Sequence, residues 1–292
     1  MSSPASSDSS SSGGFSLYHY YPNKGAAGAF VALFTISALT HLYKLLRYRV
    51  WYFVPFIVGL IFEAVGYLGR NISAGQSPNW TTGPYILQSL TLLLGPTLLA
   101  ASIYMTLGRL IRLLHAGMYS LIRTRWLTKV FLFGDIFSFF IQSAGGGMLA
   151  KAETKSAIDL GENIITGGLI FQVIFFGFFM IVTCVFHRRI VRAPTPTSLT
   201  IAIPWQRFLY VLYAASIIIM VRSVFRVAEF ASGFSGPLQS SEAYIYIFDA
   251  TLMFITSGLF IFWHPGSIVV PESKGSIPLS DNVSYSYRET YP

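Results

Sequence analysis

The hydrophobic positions of this chain gather in seven long runs, separated by shorter polar stretches that hold most of the charged residues. An α-helix rises about 1.5 Å per residue, so about 20 apolar residues cross the hydrocarbon core of a bilayer. The runs lie at residues 25–43, 52–70, 84–110, 129–150, 164–187, 208–230 and 243–263. We therefore predict an all-α, polytopic membrane protein with seven transmembrane helices.

Both ends of the chain lack the apolar content of the runs. Nine serines fall within residues 1–16, and this stretch offers little that could pack. We expect a disordered tail at 1–23, a seven-helix membrane domain at 24–266 and a second disordered tail at 267–292. No positive segment followed by a short apolar segment is present at the start, so we predict that the first run is an uncleaved signal anchor.

Composition supports the membrane class. The chain of 292 residues is 53% hydrophobic and 11% charged, whereas soluble domains carry about 25% charged residues. The formal charge of +8 does not indicate nucleic-acid binding, because the basic residues sit in short loops and no RNA-binding signature is present. The single cysteine, Cys184, excludes an intramolecular disulfide, and we expect no redox chemistry.

The distribution of basic residues predicts the orientation. Of the 20 Lys and Arg residues, fourteen lie in segments 44–51, 109–129, 187–207 and 264–292, and four lie in the alternate segments. Cytoplasmic loops carry the excess, so we predict the N-terminus outside and the C-terminus in the cytoplasm. Two glycosylation sequons, at Asn71 and Asn79, then face the exterior and are predicted to be modified, whereas the sequon at Asn282 is not.

Charged residues interrupt the apolar runs. Arg222, Arg226 and Glu229 are spaced four and three apart, so they share one face of the sixth helix. Each charge at the centre of a spanning helix costs about 2.5 to 3.5 kcal/mol, so these groups need partners or water. Further polar groups predicted in the outer half are Glu63, Arg70, Gln88, Gln172 and Asp249, whereas Asp135 is predicted in the inner half.

Two interpretations of these charges stay open. In the first, salt bridges merely fasten the bundle: Arg226 pairs with Glu229, and Arg222 pairs with Glu63 or Asp249. In the second, the acids exceed the bases, and an unpaired acid at this depth must be protonated, hydrated or matched by a cation. The excess favours an outward-facing polar pocket.

Proline and glycine mark the irregular positions. Pro96 in the third run lacks a backbone donor and predicts a kink. Glycines cluster in the second and fourth runs and predict close helix packing rather than ligand binding; they are Gly59, Gly66, Gly69, Gly145, Gly146 and Gly147.

Several stretches together resemble the fungal RTA-like family, also called lipid-translocating exporters. They are YRVWYFVPFIVGLIFEAVGYLGR, DIFSFFIQSAGGG, GGLIFQVIFF, RSVFRVAEF, EAYIYIFDA and HPG, and the likeness covers about residues 20–266. The resemblance implies a seven-span plasma-membrane protein that handles amphipathic molecules such as sphingoid bases, sterol-like amines or tetrapyrroles. The candidate substrate-binding residues within these motifs are Glu63, Tyr67, Arg70, Asp135, Gln142, Gln172, Arg222, Arg226, Glu229 and Asp249, and Gln88 joins them by its depth.

The first functional hypothesis is therefore a transporter or facilitator of amphipathic lipids or drugs that confers resistance to them. The chain has no GxxxxGK[ST] phosphate loop, so ATP is not the direct energy source. The remaining mechanisms are passive facilitation and proton coupling through Glu63 or Asp249. The excess of acids predicts a preference for amphiphiles with a positive amine.

Two other classes of function are weighed against it. Seven spans with an external N-terminus match the layout of a receptor, although the familiar receptor motifs of the third and seventh spans are absent. An intramembrane lipid hydrolase would need a metal, for which His41, His187 and His264 with Asp135 are conceivable ligands, yet HExxH spacing is missing. We expect no enzyme, no cofactor, no metal and no nucleic acid, and a membrane lipid or amphiphile as partner.

Overall fold

The computed structural model describes residues 22–76, 80–149, 154–201, 204–233 and 241–267. This part of the chain contains seven helices that are long and apolar enough to cross a membrane, which confirms the predicted all-α architecture. They are α1 Lys24–Tyr48, α2 Val54–Gly75, α3 Thr82–Leu113, α4 Thr124–Leu149, α5 Lys155–Arg192, α6 Trp205–Ala231 and α7 Glu242–Phe262. Asn79 and most of the two predicted tails, namely residues 1–21 of the tail at 1–23 and residues 268–292 of the tail at 267–292, lie outside the described residues.

Most helices extend beyond the apolar runs, and polar residues cap the first turn of two of them. Helix α1 begins after Asn23, whose side-chain oxygen accepts a hydrogen bond from the Ala26 amide at 3.1 Å. Helix α5 begins after Thr154, which caps it in the same way, and ends in a turn that contains Arg192. A basic last turn complements the partial negative charge of a helix C-terminus. Hydropathy alone therefore underestimates the lengths of these helices.

The bundle has two ends, which we name by their residues. Helices α1, α3, α5 and α7 begin at the Glu242 end and finish at the Lys44 end, and the other three helices run in the opposite direction. The Asn71 amide near the end of α2 donates to the Lys24 carbonyl at the start of α1, and Lys44 donates to the Ile261 carbonyl near the end of α7. Which end faces the cytoplasm stays the prediction made from the basic residues.

Glycines bring two helix pairs into close contact. A Cβ atom at Gly59 on α2 would lie 2.8 Å from the Gly95 carbonyl oxygen of α3, and one at Gly145 on α4 would lie 2.8 Å from the Gly161 carbonyl oxygen of α5. Real Cβ atoms do not approach so closely, so an alanine would push these backbones apart. Gly66 and Gly69 are similarly close to α3, so the packing prediction is confirmed at these four positions.

The packing prediction is wrong for the other two glycines of the GGG sequence. A Cβ atom at Gly146 or Gly147 would have no described atom of another residue within 4 Å, apart from chain neighbours and the helix backbone itself. Consecutive residues on a helix point about 100° apart, so only Gly145 can face α5. Gly146 and Gly147 instead line a cavity.

The segment after α7 folds back onto the end of α1. The imidazole of His264 stacks on Tyr48 with ring centroids 5.7 Å apart, and its Nδ1 accepts the amide N–H of Gly266 at 3.1 Å. Burial, with a smaller contribution from the Lys44 ammonium, lowers the pKa of His264 to about 4. The ring is therefore neutral at pH 7, as its role as acceptor requires.

Candidate functional site

An ion pair between α6 and α7 lies at the centre of the polar cluster. The Arg222 Nε donates to Asp249 Oδ1 at 2.5 Å, and both side chains are almost completely buried, with exposed fractions of 1% and 0%. Of the two partners predicted for Arg222, Asp249 is therefore the one observed. Pairing of Arg222 with Glu63 is wrong, because the described contacts of this guanidinium contain no bond to that carboxyl.

A proline on α3 supplies a second partner for Arg222. In a regular helix the Leu92 carbonyl would accept from the amide of residue 96, but Pro96 has no N–H. The Arg222 Nη2 donates to this Leu92 oxygen at 2.6 Å, so the guanidinium takes the place of the missing amide. The irregularity noted in the sequence therefore joins α3 to α6.

A π-helical turn positions the acid of the pair. Residues Tyr246–Thr251 of α7 form this turn, with Asp249 inside it, and the Thr251 hydroxyl donates to the Tyr246 carbonyl at 2.8 Å. A π-turn inserts a residue into the helical repeat and changes the faces to which nearby side chains point, and such turns are frequent at functional sites. The hydrophobic pattern of the sequence gives no sign of it.

Arg226 and Glu229 form a second ion pair, one turn nearer the Glu242 end. Arg226 Nη1 donates to Glu229 Oε2 at 2.7 Å, which confirms the pairing predicted from their spacing. The Nε of Arg226 is buried and makes no hydrogen bond with any described residue. This guanidinium therefore keeps a donor that a ligand could use.

Glu63 on α2 differs from the other acids of the cluster. Its side chain is fully buried, and neither carboxyl oxygen has a hydrogen-bond partner among the described residues. Gly95 on α3 makes room for it, because a Cβ atom there would lie 2.7 Å from Glu63 Oε1. The hydroxyl of Tyr67, one turn along α2, is likewise buried without a partner in the described part of the chain.

Arg70 is fully buried at the Glu242 end of α2. Its Nη2 donates to Glu242 Oε1 at 2.9 Å, and its guanidinium carbon lies 5.4 Å from the centroid of the Tyr246 ring. Glu242 is not among the site residues predicted from the sequence, because it stands at the edge of a run, where a charged residue usually faces solvent. Arg70 could have indicated it, because a buried arginine requires a carboxylate at a similar depth in the membrane, and Glu242 lies at the same end of the bundle.

The remaining candidates lie on α3, α4 and α5, and three of them, Asp135, Gln142 and Gln172, make hydrogen bonds to uncharged groups. Asp135 accepts from the buried Tyr104 hydroxyl at 2.8 Å, a partner that was not predicted. Gln142 donates to Gln172 at 3.1 Å, and Gln172 donates to Thr97 at 3.3 Å, so these amides link the three helices. Gln88 is buried near Gly69, where α2 and α3 approach each other.

A cavity of about 130 Å³ lies between α3, α4 and α6, with Ile165 of α5 in its wall. Of the predicted site residues, Gln142 and Arg226 line it, whereas Glu63 and Asp249 do not. Ser143 adds a hydroxyl that makes no hydrogen bond to the described residues. The other walls are mostly apolar, and they include Ile86, whose side chain is 38% exposed at the surface of the bundle. The cavity thus combines a cation with walls suited to an acyl chain.

Two other predictions concern modification and metal binding. The Asn71 sequon lies within α2, and the Asn71 amide nitrogen donates to the Lys24 carbonyl oxygen at 2.8 Å. Its glycosylation stays a prediction. For the metal hypothesis, the ring centroids of His41 and His264 lie 5.9 Å apart, whereas His187 contacts tyrosines of α6. No group of three potential ligands that could hold a metal ion occurs among the described residues.

Seven apolar helices with buried ion pairs define a multi-pass helical membrane protein. Residues 56–272 match the family model described as RTA1 like protein, and the chain belongs to this family. It is 38% identical to "Protoporphyrin uptake protein 1" of Saccharomyces cerevisiae, over 85% of this chain and 91% of that protein. It is 30% identical to "Lipid-translocating exporter-like protein RTA1" of Leptosphaeria maculans, over 86% of this chain and 51% of that protein.

A more distant relative is the "Sphingoid long-chain base transporter RSB1" of Saccharomyces cerevisiae. It is 25% identical over 86% of this chain and 73% of that protein. No solved structure gives a significant match to the chain. The family resemblance seen in the sequence motifs is therefore confirmed.

Proposed function

We propose that this protein moves an amphipathic lipid-like molecule across the membrane, with the headgroup in the cavity between α3, α4 and α6. The observation that carries the proposal is the presence of Arg226 in an otherwise mainly apolar cavity at the bundle surface. Arg226 is paired with Glu229, but a buried donor in a membrane costs free energy unless it is hydrogen-bonded, so its Nε, which has no such bond to the described residues, supports a binding role. The names of the relatives support transport as the activity.

The size of the cavity limits what it holds. A volume of about 130 Å³ is below the about 300 to 1,000 Å³ of pockets that bind a whole drug-sized ligand. A headgroup and the first carbons of a chain would fit, while the rest of the molecule lies against the outer surface of the helices. This arrangement requires no closed tunnel through the bundle.

The charges that line the cavity indicate which headgroup it accepts. Arg226 has a buried Nε–H that makes no hydrogen bond to the described residues, whereas the carboxyls of Glu63 and Asp249 are absent from the described lining. This arrangement favours a carboxylate or another anionic acceptor over the positive amine expected from the excess of acids. Protoporphyrin, named in the 38% identical relative, carries carboxylates, whereas the sphingoid base named in the more distant relative is an amine and represents the second candidate.

Gly146 offers a way to block the cavity without disturbing the helices. A leucine there would extend into the cavity, because no described atom stands within 4 Å of its Cβ position. We expect Gly146→Leu to reduce lipid movement in proteoliposomes to near the rate of empty vesicles, with little change in melting temperature. Gly167→Leu is the matched control, since Gly167 also faces open space but does not line this cavity. Equal activity of both variants would place the binding site elsewhere.

The headgroup preference is tested with two fluorescent amphiphiles of equal tail length, one carboxylate and one amine. We expect the wild-type protein to move the carboxylate faster. The double substitution Arg226→Gln/Glu229→Gln removes both charges of the pair and should slow the carboxylate by about 10-fold or more, because a hydrogen bond to a charged group contributes about 1.5 to 3 kcal/mol. Arg226→Lys should keep part of the preference. Faster movement of the amine by the wild-type protein would favour the second candidate.

A further inference from the structure

Four buried oxygen atoms on α2 and α7 make no hydrogen bond within the described part of the chain. They are both carboxyl oxygens of Glu63, the Tyr67 hydroxyl and Asp249 Oδ2. Glu63 and Tyr67 are four residues apart on α2, so they share a face, and Asp249 on α7 interacts electrostatically with both. Native proteins rarely leave so many buried polar oxygen atoms without a hydrogen bond. These four atoms therefore suggest a site that binds a proton or a hydrogen-bond donor.

The charges around Glu63 determine its protonation state. The groups that interact with it electrostatically are Asp249 on α7 and Arg222 and Arg226 on α6, with Tyr67 on its own helix. Each arginine is already paired with an acid, to Asp249 and to Glu229 respectively. A carboxylate at Glu63 would therefore add an uncompensated negative charge in a fully buried position, which the protein avoids by keeping a proton there.

Arg226 connects this acid to the headgroup site, because it lines the cavity and also interacts with Glu63. When the Glu63 O–H bond breaks and a water molecule takes the proton, the new carboxylate attracts the nearby guanidinium groups. An anionic headgroup in the cavity attracts Arg226 in the same way. Both anions compete for the Nε donor of Arg226, which its pair with Glu229 does not use, so binding of the headgroup favours the protonated form of Glu63.

We propose that Glu63 is a proton-binding site that couples the proton gradient to the movement of the anionic amphiphile, with one proton and one headgroup carried together. This inference rests on the proposed function and names its energy source. Asp249 is less suited to the task, because its Oδ1 is held by Arg222 at 2.5 Å.

The test uses full-length protein in liposomes and the fluorescent long-chain carboxylate. With the wild-type protein, an inward proton gradient should drive accumulation of the label several-fold above its equilibrium level, and a sodium gradient should not. Glu63→Gln, which keeps the shape and removes the titratable proton, should still equilibrate the label but no longer accumulate it. Glu63→Asp should retain part of the accumulation. Asp159→Asn, which alters an exposed acid on α5, should behave as wild type.

The possible failures of this experiment are distinguishable. A wild-type protein that moves no label under any gradient contradicts the proposed function itself. Transport that ignores the proton gradient, that follows sodium, or that stays gradient-driven in Glu63→Gln overturns the proton inference alone. Infrared spectroscopy gives a readout independent of transport: a band of a protonated carboxyl at pH 7 should be present in the wild-type protein and in Asp159→Asn, and should be lost in Glu63→Gln. Persistence of the whole band in Glu63→Gln would also overturn it.

Discussion

Arg222→Ala is expected to lower the free energy of unfolding by about 3 to 5 kcal/mol, because it leaves the Asp249 carboxylate buried without its cation. The same substitution removes the donor that satisfies the Leu92 carbonyl, which Pro96 cannot satisfy. The measurement is thermal or denaturant unfolding of the purified protein in detergent, followed by tryptophan fluorescence. A large fall in the midpoint is the expected result.

A second substitution identifies the partner of Arg222. Arg222→Ala/Asp249→Asn should recover part of the lost stability, since the buried charge is removed together with its cation. Arg222→Ala/Glu63→Gln is the matched control, because it also removes one buried acid but one that makes no bond to Arg222 in the described structure. Recovery with the Glu63 variant and not with the Asp249 variant would contradict the observed pairing.

The sequence predicts the seven helices well, because an apolar run of about 20 residues has few structural alternatives to a spanning helix. It also predicts pairs within one helix: Arg226 and Glu229 are three residues apart, and their contact follows from helical geometry alone. For Arg222 the same reasoning left two acids open, Glu63 and Asp249. Depth estimates place both acids at a similar level, and only the packing of α2, α6 and α7 distinguishes them.

Other features of the site follow from backbone details that hydropathy does not contain. The Leu92 carbonyl has no helical donor, because the residue four positions later is Pro96. Its bond to Arg222 requires in addition that α3 and α6 are neighbours. The π-turn Tyr246–Thr251 changes the direction in which nearby side chains point, and the hydrophobic pattern of this segment does not differ from that of a regular helix. Both are consistent with a functional site, because irregular helix geometry concentrates in such places.

The charge of the cavity shows why counting residues is insufficient. The intramembrane acids outnumber the bases, and this excess predicted a preference for positive amines. In the structure Glu63 and Asp249 are fully buried and absent from the described lining of the cavity, whereas Arg226 lines it. A ligand responds to the groups it contacts and not to the net charge of the surrounding helices, which is why we propose an anionic headgroup, while the preference for amines stays the prediction made from the count of acids.

Glu242 shows how position relative to a run can mislead. It begins α7, so it resembles a solvated helix end, yet its side chain is only 15% exposed and it accepts from Arg70 on α2. The backbone N–H of Asn23 also donates to its two carboxyl oxygens, at 2.9 Å and 2.8 Å, and the Tyr246 hydroxyl donates to one of them at 2.9 Å. One carboxylate therefore joins α1, α2 and α7 at the Glu242 end.

Glu242→Ala is accordingly expected to lower the free energy of unfolding by about 3 to 5 kcal/mol, because the fully buried Arg70 guanidinium loses its carboxylate. The double substitution Glu242→Ala/Arg70→Met should be more stable than Glu242→Ala alone, since methionine fills similar apolar space and carries no charge. Asp159→Ala, at an exposed acid, should change stability by less than about 0.5 kcal/mol. These values come from unfolding midpoints in one detergent. Equal unfolding midpoints of Glu242→Ala and Asp159→Ala would show that the Arg70–Glu242 pair does not stabilise this end of the bundle. Removing the partner of a buried guanidinium should otherwise lower the midpoint.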